Sequence, residues 1–374
     1  MAHDLLVFGE DWGGLPSSTQ HLIGQLANKH KTVWINSIGL RRPRVSLRDI
    51  KRMWNKVIAG HHINPKDSIV LPNGDFHLVN PITIPAPHYK LERIIASELI
   101  AAQVNPVIIN AELRSPILWT SLPTAVDVAD KIDHSALVYY CGDDFSSLAG
   151  VDHETVCIHE QELVEKADLI IAASDELAAQ LPADKTRILP HGVDYSLFST
   201  PTDRAKDLVD NGRPIAGFYG SISEWLDLDL LTGTISRLPN WNFIFIGNQV
   251  TDVSALRKFE NVTFLGDREH EVLPSYVQHW TASILPFVDN QQIQHCNPLK
   301  LREYIAAGRP VISTPFPALS PYQELVTTVN NVDEMVAALT RSLTKKTSCR
   351  QQLSVINQTW SSQAYKVSRW LDQL

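Results

Sequence analysis

The segment Asn297-Pro298-Leu299-Lys300-Leu301-Arg302-Glu303-Tyr304-Ile305-Ala306-Ala307-Gly308-Arg309-Pro310 has the residue types and spacing of an anion site. Asn is a good helix N-cap, Pro suits the first helical position, and Gly308 can close the helix in a left-handed conformation before Pro310 opens a strand. The pattern predicts a helix bounded at both ends by its own residues. The unpaired N–H groups and partial positive charge at such an N-terminus make a seat for phosphate. Lys300 in the first turn opposes the dipole, as a site serving an anion would. An i,i+3 pair with Glu303 accounts for the same lysine.

Two further loops fall where an α/β sheet binds ligands. Gly217-Phe218-Tyr219-Gly220-Ser221-Ile222-Ser223-Glu224 follows an apolar strand and carries Ser221 and Glu224 at capping-box spacing, which predicts a second helix start. Gly220 alternatively serves only a tight strand-to-helix turn. Gly13-Gly14 occupies the matching loop near the N-terminus, where bare backbone lets a ligand approach. Neither loop contains a GxGxxG dinucleotide fingerprint. Val138-Tyr139-Tyr140-Cys141-Gly142-Asp143-Asp144-Phe145 is an apolar strand that ends in two carboxylates. One of them can take a proton from an attacking hydroxyl, with its like-charged neighbour raising its pKa; a solvated Asp-Asp turn is the competing reading.

Other patterns carry less. Asp227-Leu228-Asp229 has the form of a metal-binding DxD but lies among Leu226, Leu230 and Leu231 in a helical stretch. His153, Cys157 and His159 fall on one helix with only the first two on a shared face, short of a closed zinc site. The four cysteines, Cys141, Cys157, Cys296 and Cys349, form neither a CxxC pair nor a disulfide framework and fit a reducing compartment.

Positioning such loops requires alternating strands and helices. Leu5 to Phe8, Thr32 to Asn36, Val107 to Asn110, Ala136 to Tyr140 and Leu169 to Ala173 are apolar on both faces, as central strands of a parallel sheet are. Ser17-Ser18-Thr19-Gln20 opens a helix with Leu22, Ile23, Leu26 and Ala27 on one face. The alternation pauses between Ile188 and Arg213. It resumes with strands at Ile215 to Tyr219, Asn242 to Ile246, Val262 to Leu265, Ser283 to Leu285 and Pro310 to Ser313, and helices near Trp225 to Ser236 and Pro298 to Ala307. The expected fold is α/β, two Rossmann-like doubly wound halves, with residues 1–190 forming the first domain and 191–359 the second. A helical pattern in the C-terminal tail, residues 360–374, joins the first.

The 374-residue chain carries 33 Lys+Arg against 41 Asp+Glu, a net charge of −8, which disfavours nucleic acid as a partner. Against that background Arg41, Arg42, Arg44, Arg48, Lys51, Arg52 and Lys56 are opposed only by Asp49 and are followed by Met53, Trp54, Val57 and Ile58 at the end of the cluster. A solvated basic face is one reading; a patch for anionic lipid head groups is the other. The N-terminus lacks the form of a secretory signal, and no apolar run reaches the ~18–20 residues that span a bilayer. A cytoplasmic protein, peripheral on the inner face of the cell membrane, is the expectation.

Pro298-Leu299-Lys300 through Glu303 to Ile312 resembles the donor-binding segment of GT-B fold glycosyltransferases of the large bacterial polysaccharide-building group, the group 1 type. Leu189-Pro190-His191-Gly192-Val193-Asp194 with Phe198 is similar to that group's linker motif, and Asn261 to Gly266 and Ser283 to Phe287 are similar to its later strands, in the right order. The resemblance implies a GT-B architecture with a C-terminal helix crossing back to the first domain, an acceptor-side first domain and a nucleotide-sugar-binding second domain.

By the same resemblance, Glu303 accepts hydrogen bonds from ribose hydroxyls, the backbone of Asn297, Pro298 and Leu299 lies against sugar or diphosphate, and Lys300 neutralises phosphate. Gly266-Asp267-Arg268 borders the base, Gly220 and Ser221 and also His295 and Cys296 complete the donor side, and Gly13-Gly14 closes over it from the first domain. Asp143 or Asp144 is the candidate base. His295 stands where many relatives carry Glu, and Ser221, Ser223 and Glu224 stand where many carry Arg and Lys. The implied activity moves a sugar from a UDP- or GDP-linked donor to a hydroxyl acceptor, a lipid-linked or cell-surface polysaccharide precursor, with no obligatory metal or cofactor. A sugar-nucleotide epimerase of the same fold and a non-enzymatic two-lobed sugar-binding protein are the alternatives.

Overall fold

A computed structural model describes residues 3–14, 17–39, 71–72, 75–148 and 151–374. The basic stretch Arg41 to Lys56 lies outside the described residues. The chain divides into two units, Met1–Pro190 with Gln363–Leu374, and His191–Ser362.

The first unit is built on a seven-stranded sheet. Its strands are β1 (Leu5–Phe8), β2 (Thr32–Ile35), β3 (Phe76–Val79), β4 (Ile117–Thr120), β5 (Ala136–Cys141), β6 (Leu169–Ala172) and β7 (Thr186–Ile188). They pair in the order β3-β2-β1-β4-β5-β6-β7, every pair parallel. Strands β1, β2, β4, β5 and β6 are buried along their whole length, which requires cover on both faces. Helices α1 (Ser18–Leu26), α2 (Lys90–Asn110) and α3 (His153–Lys166) belong to this unit.

The Val107 to Asn110 run, expected as a strand, is instead the last turn of α2, which contains Pro106. A long helix propagates at low cost once nucleated. The Ala111 N–H donates to the Val107 carbonyl at 2.8 Å and continues the ladder past the proline. The strand in that neighbourhood is β4, which begins directly after Pro116.

The second unit holds a six-stranded parallel sheet of β8 (Ile215–Tyr219), β9 (Asn242–Ile246), β10 (Val262–Gly266), β11 (Ala282–Leu285), β12 (Val311–Ser313) and β13 (Val326–Thr328), in the order β10-β9-β8-β11-β12-β13. Helices α4 (Leu228–Arg237), α5 (Leu299–Ala306) and α6 (Val332–Ser342) pack around it, and α7 (Trp360–Leu371) ends the chain. Each unit has its own core; Phe218, Phe243, Phe245, Trp280 and Tyr304 fill the second, Phe8, Tyr139 and Ile170 the first.

Strand order reverses between β1 and β4 in the first sheet and between β8 and β11 in the second. At such a point the connections leave in opposite directions and open a crevice at the carboxyl ends of the strands, where ligands of α/β sheets bind.

Candidate donor site at the strand switch point

In the second unit the switch point is flanked by Gly220-Ser221, which leaves β8, and by the stretch from Pro286 to α5, which leaves β11. Two sequence expectations change here. No helix starts at Gly220; the chain runs on through a bridge between Ile222 and Gln249, and α4 begins only at Leu228, capped by Asp227, whose Oδ1 accepts from the Leu230 N–H at 2.8 Å. The short hydrogen-bonded turn Leu226 N–H to Ser223 carbonyl stands in place of the expected capping box. Asn297 is not the N-cap of α5: Pro298 holds that position, while Asn297 Oδ1 accepts from Arg302 Nη1 at 2.7 Å. No side chain caps α5, so its first N–H groups keep no side-chain partner.

Lys300 lies at this uncapped end. Its Nζ sits 5.5 Å from the centre of the Phe218 ring and 5.9 Å from that of Phe287, and it makes no hydrogen bond or salt bridge among the described residues. Burial pulls its pKa below the usual lysine value, with Glu303 and Cys296 pulling the other way. Gly220 makes room for it. The φ of Gly220 is 123°, and a Cβ there would lie 2.7 Å from Lys300 Cε.

Glu303, one turn further along α5, is 6% exposed. Its Oε1 accepts from His270 Nε2 at 2.6 Å, and its Oε2 from the Tyr219 hydroxyl. Tyr219 ends β8, and its own N–H donates to the Tyr304 hydroxyl at 2.9 Å. Burial first, then the Glu303 charge, pushes the Tyr219 phenol far above its ordinary value, so it remains a donor. Burial lowers His270, but the hydrogen bond and charge of Glu303, with Glu271 and Asp194, outweigh it and leave its pKa raised. Phe198, from the segment after the linker motif, packs 5.4 Å from the His270 ring and 6.5 Å from that of Tyr219.

The remaining donor-side residues are distributed around the same rim. Gly266 ends β10 with φ 72°, Asp267 is exposed, and Arg268 is held by Asp207 at 2.6 Å and by the Tyr276 hydroxyl at 3.0 Å. His295 closes a short helix, Gln291–His295, and Cys296 and Asn297 lead from it into α5. Gly220 lies against Lys300, and Glu303 and Cys296 are near enough for their charge to act on it. Ser221 is next to Gly220 in the chain. Tyr219 and His270 have no local sequence signature, since they lie 84 and 33 residues from Glu303.

In the first unit the switch-point rim carries Glu10 and Ser121, joined at 3.2 Å. Gly13 and Gly14 are exposed; Gly13 has φ 77° and donates its N–H to Gln20 Oε1 at 3.0 Å. The two aspartates after β5 differ. Asp144 accepts from Ser146 N–H at 2.9 Å, Ser146 Oγ at 2.5 Å and Ser147 Oγ at 3.0 Å, so it shapes a turn. Asp143 makes no side-chain hydrogen bond among the described residues. Asp143 is exposed at the rim, and crowding by the atoms around it, then the charges of Glu10 and Asp144, push its carboxyl up to about 6.

His159 belongs to a buried network: it meets Asp127 at 3.2 Å, and Asp127 is bridged with Glu162 through Arg93. Among the described residues no cluster of three His, Cys, Asp or Glu side chains is placed to hold a metal. No described helix is long and apolar enough to cross a membrane.

Two parallel, doubly wound sheets, each with its crevice at a strand switch point, define the GT-B class of fold. Residues 213–345 match the family model described as glycosyl transferases group 1. The match runs from just before β8 through the whole candidate donor site.

A Bacillus subtilis (strain 168) protein named as teichuronic acid biosynthesis glycosyltransferase TuaH is 27% identical over 227 residues, 55% of this chain and 57% of that one. The chain thus spans little more than half the length of that relative. Among solved structures, Anabaena HepE in complex with UDP and glucose superposes with a TM-score of 0.69 at 15% identity, covering 100% of both chains. Sucrose-phosphate synthase from Thermosynechococcus elongatus gives 0.71 at 15%, covering 99% of this chain and 98% of that one. At such identities the likeness establishes the fold.

Proposed function

We propose that this protein is a glycosyltransferase that takes a sugar from a nucleotide diphosphate sugar and passes it to a hydroxyl acceptor in the assembly of a cell-surface polysaccharide. The observation that carries the reading is the pairing, on one short helix in a glycosyl transferases group 1 domain, of an unpaired ammonium at the uncapped N-terminus with a buried, braced carboxylate one turn on.

In this reading the diphosphate lies over the N-terminus of α5. The free N–H groups of Leu299 and its neighbours and the Lys300 ammonium stabilise the charge that develops on the leaving group, and need no rearrangement to do so. Glu303 takes the ribose hydroxyls. Gly220 and Ser221 line one side of the crevice, with His295, Cys296, Asn297 and Pro298 on the other, and Gly266, Asp267 and Arg268 border the base. On the first unit Asp143 accepts the proton of the attacking hydroxyl. Asp144, whose oxygens already serve a turn, holds that loop. Gly13 and Gly14 offer backbone to the acceptor-side ligand. HepE, solved in complex with UDP and glucose, supports a uridine donor. The relative named for teichuronic acid biosynthesis supports a polysaccharide acceptor. The basic charge of the Arg41 to Lys56 stretch supports placing that acceptor at an anionic membrane surface.

The test is a thermal-shift screen of UDP- and GDP-linked sugars, followed by detection of transferred sugar with the best donor. Glu303→Ala is expected to abolish the shift given by wild type. Conversion of donor alone into an isomer, with no transfer, would replace the reading with the epimerase one.

A further inference from the structure

We infer that His270 and Tyr219 are positioning residues that clamp the Glu303 carboxylate from both sides, and that His270 cancels its charge toward a bound nucleoside diphosphate. This rests on the donor-site reading of Glu303 given above.

The clamp is a matter of geometry. Each Glu303 oxygen receives one internal donor, from the histidine on the turn His270–Val272 and from the tyrosine at the end of β8, so the carboxylate is fixed between two separate elements. A carboxylate oxygen can accept more than one hydrogen bond, so an internal donor does not by itself bar a ligand hydroxyl. The carboxylate therefore stays an acceptor in one orientation, the property required to receive two vicinal hydroxyls. The donors are themselves held: Phe198 and Tyr304 pack edge or face against Tyr219, and Phe198 against His270.

Charge gives His270 its second task. A nucleoside diphosphate is an anion, and a bare Glu303 charge beside it weakens binding. A protonated His270, 2.6 Å from Glu303, leaves the pair neutral. The other groups whose charge His270 feels are Glu271 and Asp194, both acidic, which also favour the imidazolium. Lys300, Tyr219 and Tyr304 face Glu303 from α5 and β8. His270 is raised from its ordinary value, so the cation is held to a higher pH than in a free imidazole and is lost as pH rises further. Nucleotide affinity should then fall on the alkaline side.

The experiment is calorimetric titration of the intact protein with UDP and GDP, the tighter one carried across pH 6 to 9 for wild type, His270→Gln, His270→Ala, Tyr219→Phe and Glu303→Ala. Gln keeps an N–H donor without the charge. The expected results are a wild-type Kd that weakens with pH, a His270→Gln Kd that is flat over the same range, and about tenfold weaker binding in His270→Ala. Tyr219→Phe should weaken binding at every pH without flattening the profile. If His270→Gln keeps the wild-type slope, the slope belongs to Lys300 and the charge role is wrong. Unchanged affinity in both His270 variants, with Glu303→Ala weakened, overturns the inference alone. Unchanged affinity in Glu303→Ala overturns the donor-site reading beneath it. Should His270→Ala fail to fold, the wild-type and His270→Gln profiles still decide.

Discussion

The two rims differ in how their carboxylates are used. Glu303 is doubly engaged and rigid, suited to recognition; Asp143 is unbonded with a pKa raised to about 6, suited to proton transfer near neutral pH. In the proposed reaction the base must be ionised, so kcat/KM should climb as pH rises through about 6, and Asp143→Asn should lower it by about 10²- to 10⁴-fold while nucleotide Kd stays unchanged. The folded carboxyl holds its proton more tightly than the unfolded one. Its contribution to stability therefore falls between about pH 4, where the unfolded group titrates, and about 6. Above that window Asp143→Asn should unfold at slightly higher urea than wild type, the gain kept small by solvent screening of an exposed carboxylate. A variant less active but no more stable would separate the base role from the crowding of Glu10 and Asp144. At this scale Pro298 and Gly308 made the helix that carries Lys300 and Glu303 readable, and the resemblance to group 1 glycosyltransferases singled out Glu303 on it. His270 and Tyr219 were hidden because a buried carboxylate recruits partners through space, from strands that no local pattern connects.

Elements buried on both faces were the readable ones. Leu5–Phe8, Ala136–Cys141, Ile215–Tyr219 and Asn242–Ile246 are continuous apolar runs and became central strands. Phe76–Val79, Thr186–Ile188 and Val326–Thr328 lie at or near sheet edges, are only partly buried, and left no such run to read. Val107 to Asn110 misled because tertiary packing overrides β propensity there: Val107 and Ile108 pack against the core from a helix, while Ile109 is 73% exposed. The Asp227-Leu228-Asp229 pattern resolves at this level too, since Asp227 caps α4 and Asp229 sits exposed in its first turn. Asp227→Ala should cost about 1 kcal/mol in urea unfolding, whereas Asp227→Asn, which can still cap, should cost little. Equal losses in both would point to a role for the charge itself.

For the whole molecule, the proposed division of labour follows the two units and their separate cores: the segment that matches the family model spans the donor-side rim, and the candidate base belongs to the other unit. The chain is acidic overall, so attraction to anionic lipid has to come from the local excess of Arg and Lys between Arg41 and Lys56. Binding to vesicles containing phosphatidylglycerol is expected at low salt, lost by about 0.5 M salt as screening shortens, and abolished when those residues are changed to Gln. No binding at low salt would remove the membrane from the proposal and leave the donor site untouched. The most direct test of the central claim is a crystal structure with UDP or GDP bound. The account predicts diphosphate oxygens on Lys300 Nζ and the first N–H groups of α5, with both ribose hydroxyls on Glu303. A nucleotide seated away from the β8/β11 switch point, or a ribose that ignores Glu303, would contradict it.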